Sequence, residues 1–312
     1  MKKRLFTGLQ PSGTLHIGNY FGALKPFADV CPEYESFLMI ADFHALTTSR
    51  HAELLRQQTL DVVKDYLAVG VDPDSVVIFK QSDIPEHTEL AWIFECLVTV
   101  PFLMQAHAYK DKIAKGIEAN AGLFNYPMLM AADILLYDAD VVPVGEDQRQ
   151  HVEYAREAMT KFNNTYGETF TAPQEMIMKS VGIIPGTDGQ KMSKSYKNTI
   201  PLFGTKDDIT KAVMSIVTDS SGERPEHVYA IHTLFQNESA LELLYTENAG
   251  KYKNLKDALI DDIEALVLPM REKRAQITES DVREVLRKGK ERASVQAQKK
   301  MSDIRHKIGM FI

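Results

Sequence analysis

The chain of 312 residues has few cysteines and no long apolar segment. It contains two cysteines, Cys31 and Cys96, without a Cys-x-x-Cys spacing, which argues against a disulfide scaffold and against a zinc or iron–sulfur cluster. No run of about 18 apolar residues occurs, so we expect no membrane span. The basic N-terminal residues reach Pro11 before a hydrophobic signal region develops. We therefore expect no secretory peptide and a cytoplasmic protein.

Acidic residues outnumber basic ones, and the formal net charge is −7. The imbalance is uneven along the chain. Residues 1–250 carry 21 Lys and Arg against 33 Asp and Glu, whereas residues 251–312 carry 15 against 10. A basic C-terminal piece on an acidic body is either the electrostatic footprint of RNA contact or a solvated helical surface. Charge alone leaves both interpretations open.

Short apolar runs alternate with longer amphipathic segments in the first half of the chain. Residues 37–40 and 76–79 are continuously apolar, which is typical of strands buried on both faces of a parallel sheet. The predicted strands are 4–8, 36–41, 75–80 and 141–144, and the predicted helices are 18–30, 53–69, 86–98 and 146–163. This alternation predicts an α/β fold with a Rossmann-like, doubly wound parallel sheet.

The strand signal stops after Ser195. Helix-like segments follow, with Pro269 as an expected kink or break. The predicted helices are 207–218, 238–248, 254–278 and 281–308. We therefore expect a Rossmann-like catalytic domain over residues 1–196 and a C-terminal α-helical domain over residues 197–312, whose last helix packs back on the catalytic domain.

A glycine-rich turn follows the first predicted strand and reads Gly-Leu-Gln-Pro-Ser-Gly-Thr-Leu-His-Ile-Gly-Asn over residues 8–19. A helix that starts at the carboxyl end of a parallel strand offers backbone N–H groups and a positive dipole end, and both suit polyphosphate. Gly18 leaves room for a flat adenine, while His16 and Asn19 can donate hydrogen bonds to phosphate oxygens. Such a turn alone is also compatible with a purely structural role.

A second motif, Lys-Met-Ser-Lys-Ser over residues 191–195, lies far downstream after a turn-rich approach at 186–190. Two lysines on a mobile loop can reach phosphates as they separate and supply positive charge in the transition state. Together and in this order, the two motifs resemble the ATP-binding signatures of class I aminoacyl-tRNA synthetases. The residues between them resemble the bacterial, tryptophan-specific branch of that family.

The resemblance implies a nucleotide site and a few catalytic residues. Catalytic roles fall on Asn19, Lys112, Lys191 and Lys194. Residue 108 is alanine where better-known members carry glutamine, which puts the role of the loop at 105–115 in doubt. Asp147 is also compatible with a helix N-cap. The implied ATP-binding residues are Gln10, Pro11, Ser12, Gly18, Asn19, Gly145, Glu146, Asp147, Gln148, Ile183, Lys191, Met192, Ser193, Lys194 and Ser195.

The segment 125–137 predicts the helix that selects the amino acid. With Pro127 in its first turn, Tyr126, Met130 and Asp133 share one face. Met130 stands where sister tyrosyl enzymes have glutamine, and a deformable thioether suits an indole edge better than a phenolic oxygen. Asp133, among apolar neighbours, is expected to accept the indole N–H.

Three further side chains complete the expected tryptophan site. Phe6 and Ile134 are expected to pack against the ring. His44 follows a strand end, where a structural role is as compatible with the sequence as a contact with substrate.

The resemblance implies that L-tryptophan and ATP form tryptophanyl-adenylate, with Mg²⁺ bound mainly through the ATP phosphates and no metal site of the protein's own. It implies a homodimer and transfer of tryptophan to tRNA(Trp), with C-terminal helices near the anticodon. The candidate RNA-facing residues are Arg283, Arg287, Lys288, Lys290 and Arg292. Two alternatives stay open: a small-molecule nucleotidyltransferase, which shares the glycine-rich turn, and a paralogue that binds tRNA or tryptophan as a regulator.

Overall fold

The computed structural model describes residues 2–11, 13–114, 116, 119–145, 149–177, 184–218 and 224–311, apart from the side chains of Ala108 and Lys112. Within these residues, five strands form one sheet: β1 Arg4–Leu9, β2 Glu35–Ile40, β3 Val76–Lys80, β4 Val141–Val144 and β5 Gln174–Ile177. They pair in the order β3-β2-β1-β4-β5, and every pairing is parallel. The predicted parallel sheet is confirmed. β5 was not predicted.

Helices connect the strands in the first part of the chain. These are α1 Ile17–Asn19, α2 Lys25–Val30, α3 Asp42–Ala45, α4 Ala52–Ala68, α5 Glu86–Glu95, α6 Val100–Leu103, α7 His107–Ala114, α8 Ala121–Leu135 and α9 Arg149–Tyr166. The predicted helix 18–30 is divided, because a π-helical turn at Tyr20–Leu24 separates α1 from α2.

The C-terminal part is helical, as predicted. It consists of α10 Lys206–Met214, α11 Glu226–His232, α12 Glu238–Glu247, α13 Tyr252–Gln276 and α14 Glu279–Lys307. α11 was not predicted. Pro269 lies inside α13 and does not end that helix.

Helices cover both faces of the sheet. Along β1 and β2, alternate side chains enter different apolar clusters: Phe6 and Phe37 pack with α5, α8, α9 and part of α14, whereas Leu5 and Leu38 pack with α4, α10 and α13. Strands whose successive residues are buried on opposite faces give the continuous apolar runs seen in the sequence. The helices on the two faces make the sheet doubly wound.

The C-terminal helices pack directly against the sheet and its helices. Gly289 of α14 lies so close to β3 that an added Cβ would be 1.7 Å from the Ile78 carbonyl oxygen. Arg274 of α13 donates to Asp61 at 2.8 Å and to Asp65 at 2.5 Å, both on α4. The apolar core therefore continues from the sheet into α10, α13 and α14. The domain boundary at residue 196 stays a prediction.

One expectation about helix geometry is wrong. Pro127 was expected in the first turn of its helix, but it lies inside α8. The helix begins earlier because the Asn120 side chain caps it by accepting from the Leu123 amide at 2.9 Å. None of the helices described here is long and apolar enough to cross a membrane.

Candidate active site

A cavity of about 480 Å³ lies at the carboxyl ends of β1 and β4. The chain leaves β1 for β2 on one side, while β4 pairs with β1 on the other, so this is a switch point of the sheet. Open α/β sheets bind ligands in such crevices. Gln10 and Gly145, two of the predicted nucleotide-site residues, line the cavity. All the predicted tryptophan-site residues also line it, namely Phe6, His44, Tyr126, Met130, Asp133 and Ile134.

Asp133 is the buried anion of this cavity, with only 1% of its surface exposed. Its Oδ2 contacts His44 Nε2 at 2.8 Å, and its Oδ1 contacts His87 Nδ1 at 2.7 Å. Gln81 Nε2 donates to both oxygens, at 2.8 and 3.0 Å. The sequence predicted that this carboxylate needs a partner, and in the structure three side chains of the protein already contact it.

These contacts decide the protonation of Asp133. Burial opposes its ionisation, but the hydrogen bonds from His44 and His87 outweigh burial and lower the pKa of the carboxyl to about 2. An ionised carboxylate only accepts hydrogen bonds, so both histidine nitrogens that face it are donors. Asp133 is thus a fixed acceptor in the cavity wall.

A second layer of side chains orients these donors. In the neutral ring, His87 Nδ1 donates to Asp133 and Nε2 accepts from the Tyr137 hydroxyl at 2.9 Å. Burial, with the nearby Asp133 charge, raises the pKa of Tyr137, so that hydroxyl keeps its proton. Gln81 Oε1 accepts from the Phe43 amide at 3.2 Å, which fixes the direction of its amide group.

Gln81, His87 and Tyr137 were missed by the sequence reasoning. Gln81 directly follows β3, and residues at the ends of buried parallel strands are candidates for a site, so a signal existed for it. His87 and Tyr137 carry no comparable signal.

Aromatic and apolar side chains form the rest of the wall. Phe6 stacks on Tyr137 with ring centroids 5.5 Å apart, and Ile134 is buried. The rings of His44 and Tyr126 meet edge to face at 6.4 Å. Burial raises the pKa of Tyr126 to about 12, so its hydroxyl stays protonated, 3.1 Å from His151 Nε2. A flat apolar ligand with one donor group fits these surroundings.

The glycine-rich turn ends in a reciprocal cap. His16 Nδ1 accepts from the Asn19 amide at 3.3 Å, and Asn19 Oδ1 accepts from the His16 amide at 3.2 Å. Burial, and then the charge of Lys194, lowers the pKa of His16 to about 4. The ring is therefore neutral near pH 7, and since Nδ1 accepts, its proton is on Nε2. The Nε2–H of His16 is a group that can donate to an anion.

The two motifs lie side by side. Lys194 Nζ donates to the Gly13 carbonyl at 3.2 Å. Met192 is buried, and its Sδ would be 3.4 Å from a Cβ at Gly18. The Ile17 amide donates to the Ile200 carbonyl at 3.0 Å, which joins the helix start to the segment after the loop. Lys191 is exposed at the surface of the loop.

Some predicted residues cannot be placed. Ser12, Glu146, Asp147, Gln148 and Ile183 lie outside the described residues, as does the side chain of Lys112. Among the residues that are described, no group of three His, Cys, Asp or Glu side chains is arranged to hold a metal ion.

A wider cleft of about 970 Å³ lies between the start of α4 and α14, and Arg283, Arg287 and Lys290 line it. Two of these predicted RNA-facing residues are paired on their own helix: Arg283 with Glu279 at 2.9 Å, and Arg287 with Glu284 at 2.8 Å. Two others lie outside this lining: Arg292 donates to the carbonyls of Pro73 and Asp74, and Lys288 is 3.9 Å from Glu284. Paired charges of this kind attract anions weakly.

Comparisons with known proteins agree with this geometry. A family model described as tRNA synthetases class I (W and Y) matches residues 1–287. The tryptophan–tRNA ligase of Fusobacterium nucleatum is 46% identical, over 99% of this chain and 98% of the relative. That of Campylobacter jejuni is 44% identical, over 98% of this chain and 100% of the relative. A crystal structure of the Campylobacter jejuni tryptophanyl-tRNA synthetase, complexed with ADP and tryptophan, superposes with a TM-score of 0.93 at 43% identity, covering 98% of this chain and 99% of that one.

Proposed function

The chain belongs to the class I tRNA synthetases for tryptophan and tyrosine, and we infer that it is a tryptophan–tRNA ligase of that family. The observation that carries the assignment is the fixed carboxylate of Asp133 in an apolar cavity that extends to the glycine-rich turn. A buried acceptor with apolar surroundings suits the indole, whose only polar group is a donor.

The proposed reaction has two steps. The tryptophan carboxylate attacks the α-phosphorus of ATP, so a bond forms between a carboxylate oxygen and phosphorus, and the bond from phosphorus to the pyrophosphate oxygen breaks. The 3′-terminal hydroxyl of tRNA(Trp) then attacks the acyl carbon, and AMP leaves. The first step depends on positioning and on charge stabilisation. Mg²⁺ accompanies ATP, bound mainly through its phosphates, and would neutralise part of their charge.

The amino-acid end of the cavity selects tryptophan by pairing and shape. Asp133 accepts the indole N–H, while Phe6 and Ile134 pack against the ring. Met130 offers no partner to a phenolic oxygen, so tyrosine would lose a hydrogen bond on entry. Tyr126 and His44 complete this end of the cavity. His44 acts mainly through Asp133, which it contacts at 2.8 Å.

The phosphate end combines the turn with the loop. Lys191 and Lys194 stabilise the charge on pyrophosphate as it leaves, and Lys112 contributes a further positive charge. The proximity of Lys194 to Gly13 supports this assignment. The proposed nucleotide contacts are Gln10, Pro11, Ser12, Gly18, Asn19, Gly145, Glu146, Asp147, Gln148, Ile183, Met192, Ser193 and Ser195.

The proposed working form is a cytoplasmic homodimer in which tRNA contacts both subunits. Residues 1–196 form the catalytic part, and residues 197–312 contact the anticodon side of the tRNA. Lys290, with the neighbouring basic residues of α14, is the proposed RNA-facing surface. The exposed positions of these side chains support the assignment.

Amino-acid-dependent ATP–pyrophosphate exchange, measured with each of the twenty amino acids, tests the proposal. We expect exchange with tryptophan alone, followed by charging of tRNA(Trp). Tryptophan binding without exchange would instead indicate a regulator. Exchange driven by a different substrate would indicate a nucleotidyltransferase or a synthetase of other specificity.

A further inference from the structure

Asn198 is a buried polar residue just beyond the lysine loop, with 2% of its surface exposed. Its Oδ1 accepts from the Ser193 amide at 2.8 Å, and its Nδ2 donates to the Lys191 carbonyl at 3.2 Å. One side-chain amide therefore binds the loop backbone on both sides of Met192. Because this amide also donates to Asp188 Oδ1 at 2.7 Å, each of its two ends has a partner.

Asp188 fixes the direction of that amide. Its Oδ1 also accepts from the Gln190 amide at 3.0 Å, and the hydrogen bond from Asn198 lowers the pKa of Asp188. An ionised carboxylate only accepts hydrogen bonds. If the Asn198 amide were reversed, its oxygen would face Asp188 Oδ1 and the Lys191 carbonyl, and its NH₂ would face the Ser193 N–H. Only the observed orientation of the Asn198 amide makes all three hydrogen bonds.

The backbone before the loop is fitted to Asn198. A Cβ at Gly186 would be 2.4 Å from the Asn198 Cγ and Nδ2 atoms, so this position has no room for a side chain. The Thr187 amide donates to the Asn198 carbonyl at 2.9 Å. The segment 186–190 and Asn198 thus form one close-packed base for the loop.

The base fixes where the loop lysines stand. Met192 is buried against the core and donates its amide to the Ile184 carbonyl at 2.9 Å, so the loop cannot rotate freely about its own axis. Lys191 and Lys194 project outward on either side of it, and Lys194 reaches Gly13 in the phosphate turn. Among the hydrogen bonds described, the Asn198 side chain contacts only the loop backbone and Asp188.

We propose that Asn198 is a positioning residue for adenylate formation, holding residues 191–195 so that their lysines meet the phosphates, with Asp188 setting its orientation. The proposal rests on the proposed function. Asn198 should affect kcat and not tryptophan affinity, because the amino-acid end of the cavity is built from other elements. Misplacing charged groups by about 1 Å can cost about 100-fold in rate.

The test measures tryptophan-dependent ATP–pyrophosphate exchange in the full-length protein for Asn198→Ala and Asn198→Asp. For Asn198→Ala we expect kcat to fall about 10- to 100-fold with tryptophan affinity, from equilibrium dialysis, unchanged. Asn163→Ala is the matched control. The Asn163 side chain also binds the backbone of a loop, accepting from the Thr169 and Phe170 amides at 3.0 and 3.1 Å, but that loop is not the one at 191–195. Its exchange rate should equal that of the unmodified protein.

Asn198→Asp gives a readout that a purely structural role would not produce. It places a second carboxyl beside Asp188, and two such groups share a proton with a raised pKa. Protonation restores a donor, so the exchange rate of this variant, relative to the unmodified protein, should rise as pH falls from about 8 to about 6. The exchanged pair Asp188→Asn with Asn198→Asp restores the hydrogen bond between the two side chains at every pH but leaves a carboxylate oxygen facing the Lys191 carbonyl. It should therefore recover part of the lost rate and lose the pH dependence.

Equal exchange rates for Asn198→Ala and the unmodified protein would overturn the proposal. So would a loss of tryptophan affinity that matches the loss of kcat, or an exchanged pair no better than Asn198→Asp. If Asn198→Ala does not fold, as judged by circular dichroism, the exchanged pair and the pH profile still decide. Absence of exchange in the unmodified protein would instead refute the proposed function.

Discussion

The two ends of the cavity hold their charges in opposite ways. Asp133 is buried, and three donors from different segments hold its carboxylate. Lys191 and Lys194 are exposed on a loop whose backbone is held by the buried Asn198 amide and by the hydrogen bond from Met192 to Ile184. A neutral aromatic ring with one N–H is best recognised by an acceptor that is already buried and fixed. Charge that develops on pyrophosphate is instead stabilised by cations, which can remain exposed to water until the nucleotide binds. The difference in burial therefore matches the difference in task.

The largest expected effect comes from removing the fixed acceptor. Asp133→Ala leaves the donors of His44, Gln81 and His87 without their partner in a buried site. We expect kcat/KM for tryptophan to fall about 1,000-fold or more, with the KM for ATP little changed. Exchange assays titrated with tryptophan and tyrosine measure this. If the ratio of the two affinities stayed the same after the change, Asp133 would not be the selecting group.

The next largest effect tests the exposed cations. Lys194→Ala should lower the kcat of exchange about 100- to 1,000-fold and spare tryptophan binding, because a donor to developing charge acts mainly in the transition state. Lys197→Asn is the matched control: it removes the same charge three positions on, and its φ of 54° is one that asparagine tolerates. Equal losses in both variants would mean that net charge matters and the position of Lys194 does not.

A smaller effect tests the second layer around Asp133. Tyr137→Phe removes the hydroxyl that donates to His87, at a cost of about 1 kcal/mol. The KM for tryptophan should rise about fivefold, while kcat stays the same. Tyr66→Phe, buried on the other face of the sheet, is the control. A fall in kcat at constant KM would contradict the orienting role of Tyr137.

The smallest expected effect lies outside both ends. Arg287→Ala with Lys290→Ala should raise the KM for tRNA about two- to fivefold and leave ATP–pyrophosphate exchange unchanged, since Arg287 is already paired with Glu284. Lys161→Ala with Lys211→Ala, which removes two positive charges from α9 and α10, serves as the control. A loss of exchange would show that α14 supports adenylate formation directly.

Much of the fold was predictable because β2 and β3, which are buried on both faces, have continuous apolar runs in the sequence. β5 escaped prediction because its four residues are exposed or half-buried at the sheet edge and show no such run. The predicted beginning of α8 was too late because Pro127 was interpreted as a first-turn residue, whereas the helix is capped by Asn120, well before it. These errors have one cause: edge strands and helix starts depend on local contacts that residue type only partly reveals.

The candidate site was predictable where chemistry and periodicity coincide. Asp133 and Met130 stand out as a carboxylate and a thioether on one face of an apolar helix. His87 was not found because it meets Asp133 only where α5 packs against α8, and no spacing in the sequence indicates that contact. Gln81 had only its position after a buried strand as a signal. Long-range polar networks of this kind become visible only in three dimensions.

Gly289 has a mechanical consequence. Since an added Cβ would be 1.7 Å from the Ile78 oxygen, the backbones of α14 and β3 touch with no side chain between them. The final helix cannot roll or slide at that point without pushing the strand. β3 ends at Lys80, and the residue after it, Gln81, holds the Asp133 carboxylate. A displacement of α14 would therefore be transmitted through β3 to Gln81, which contacts the Asp133 carboxylate.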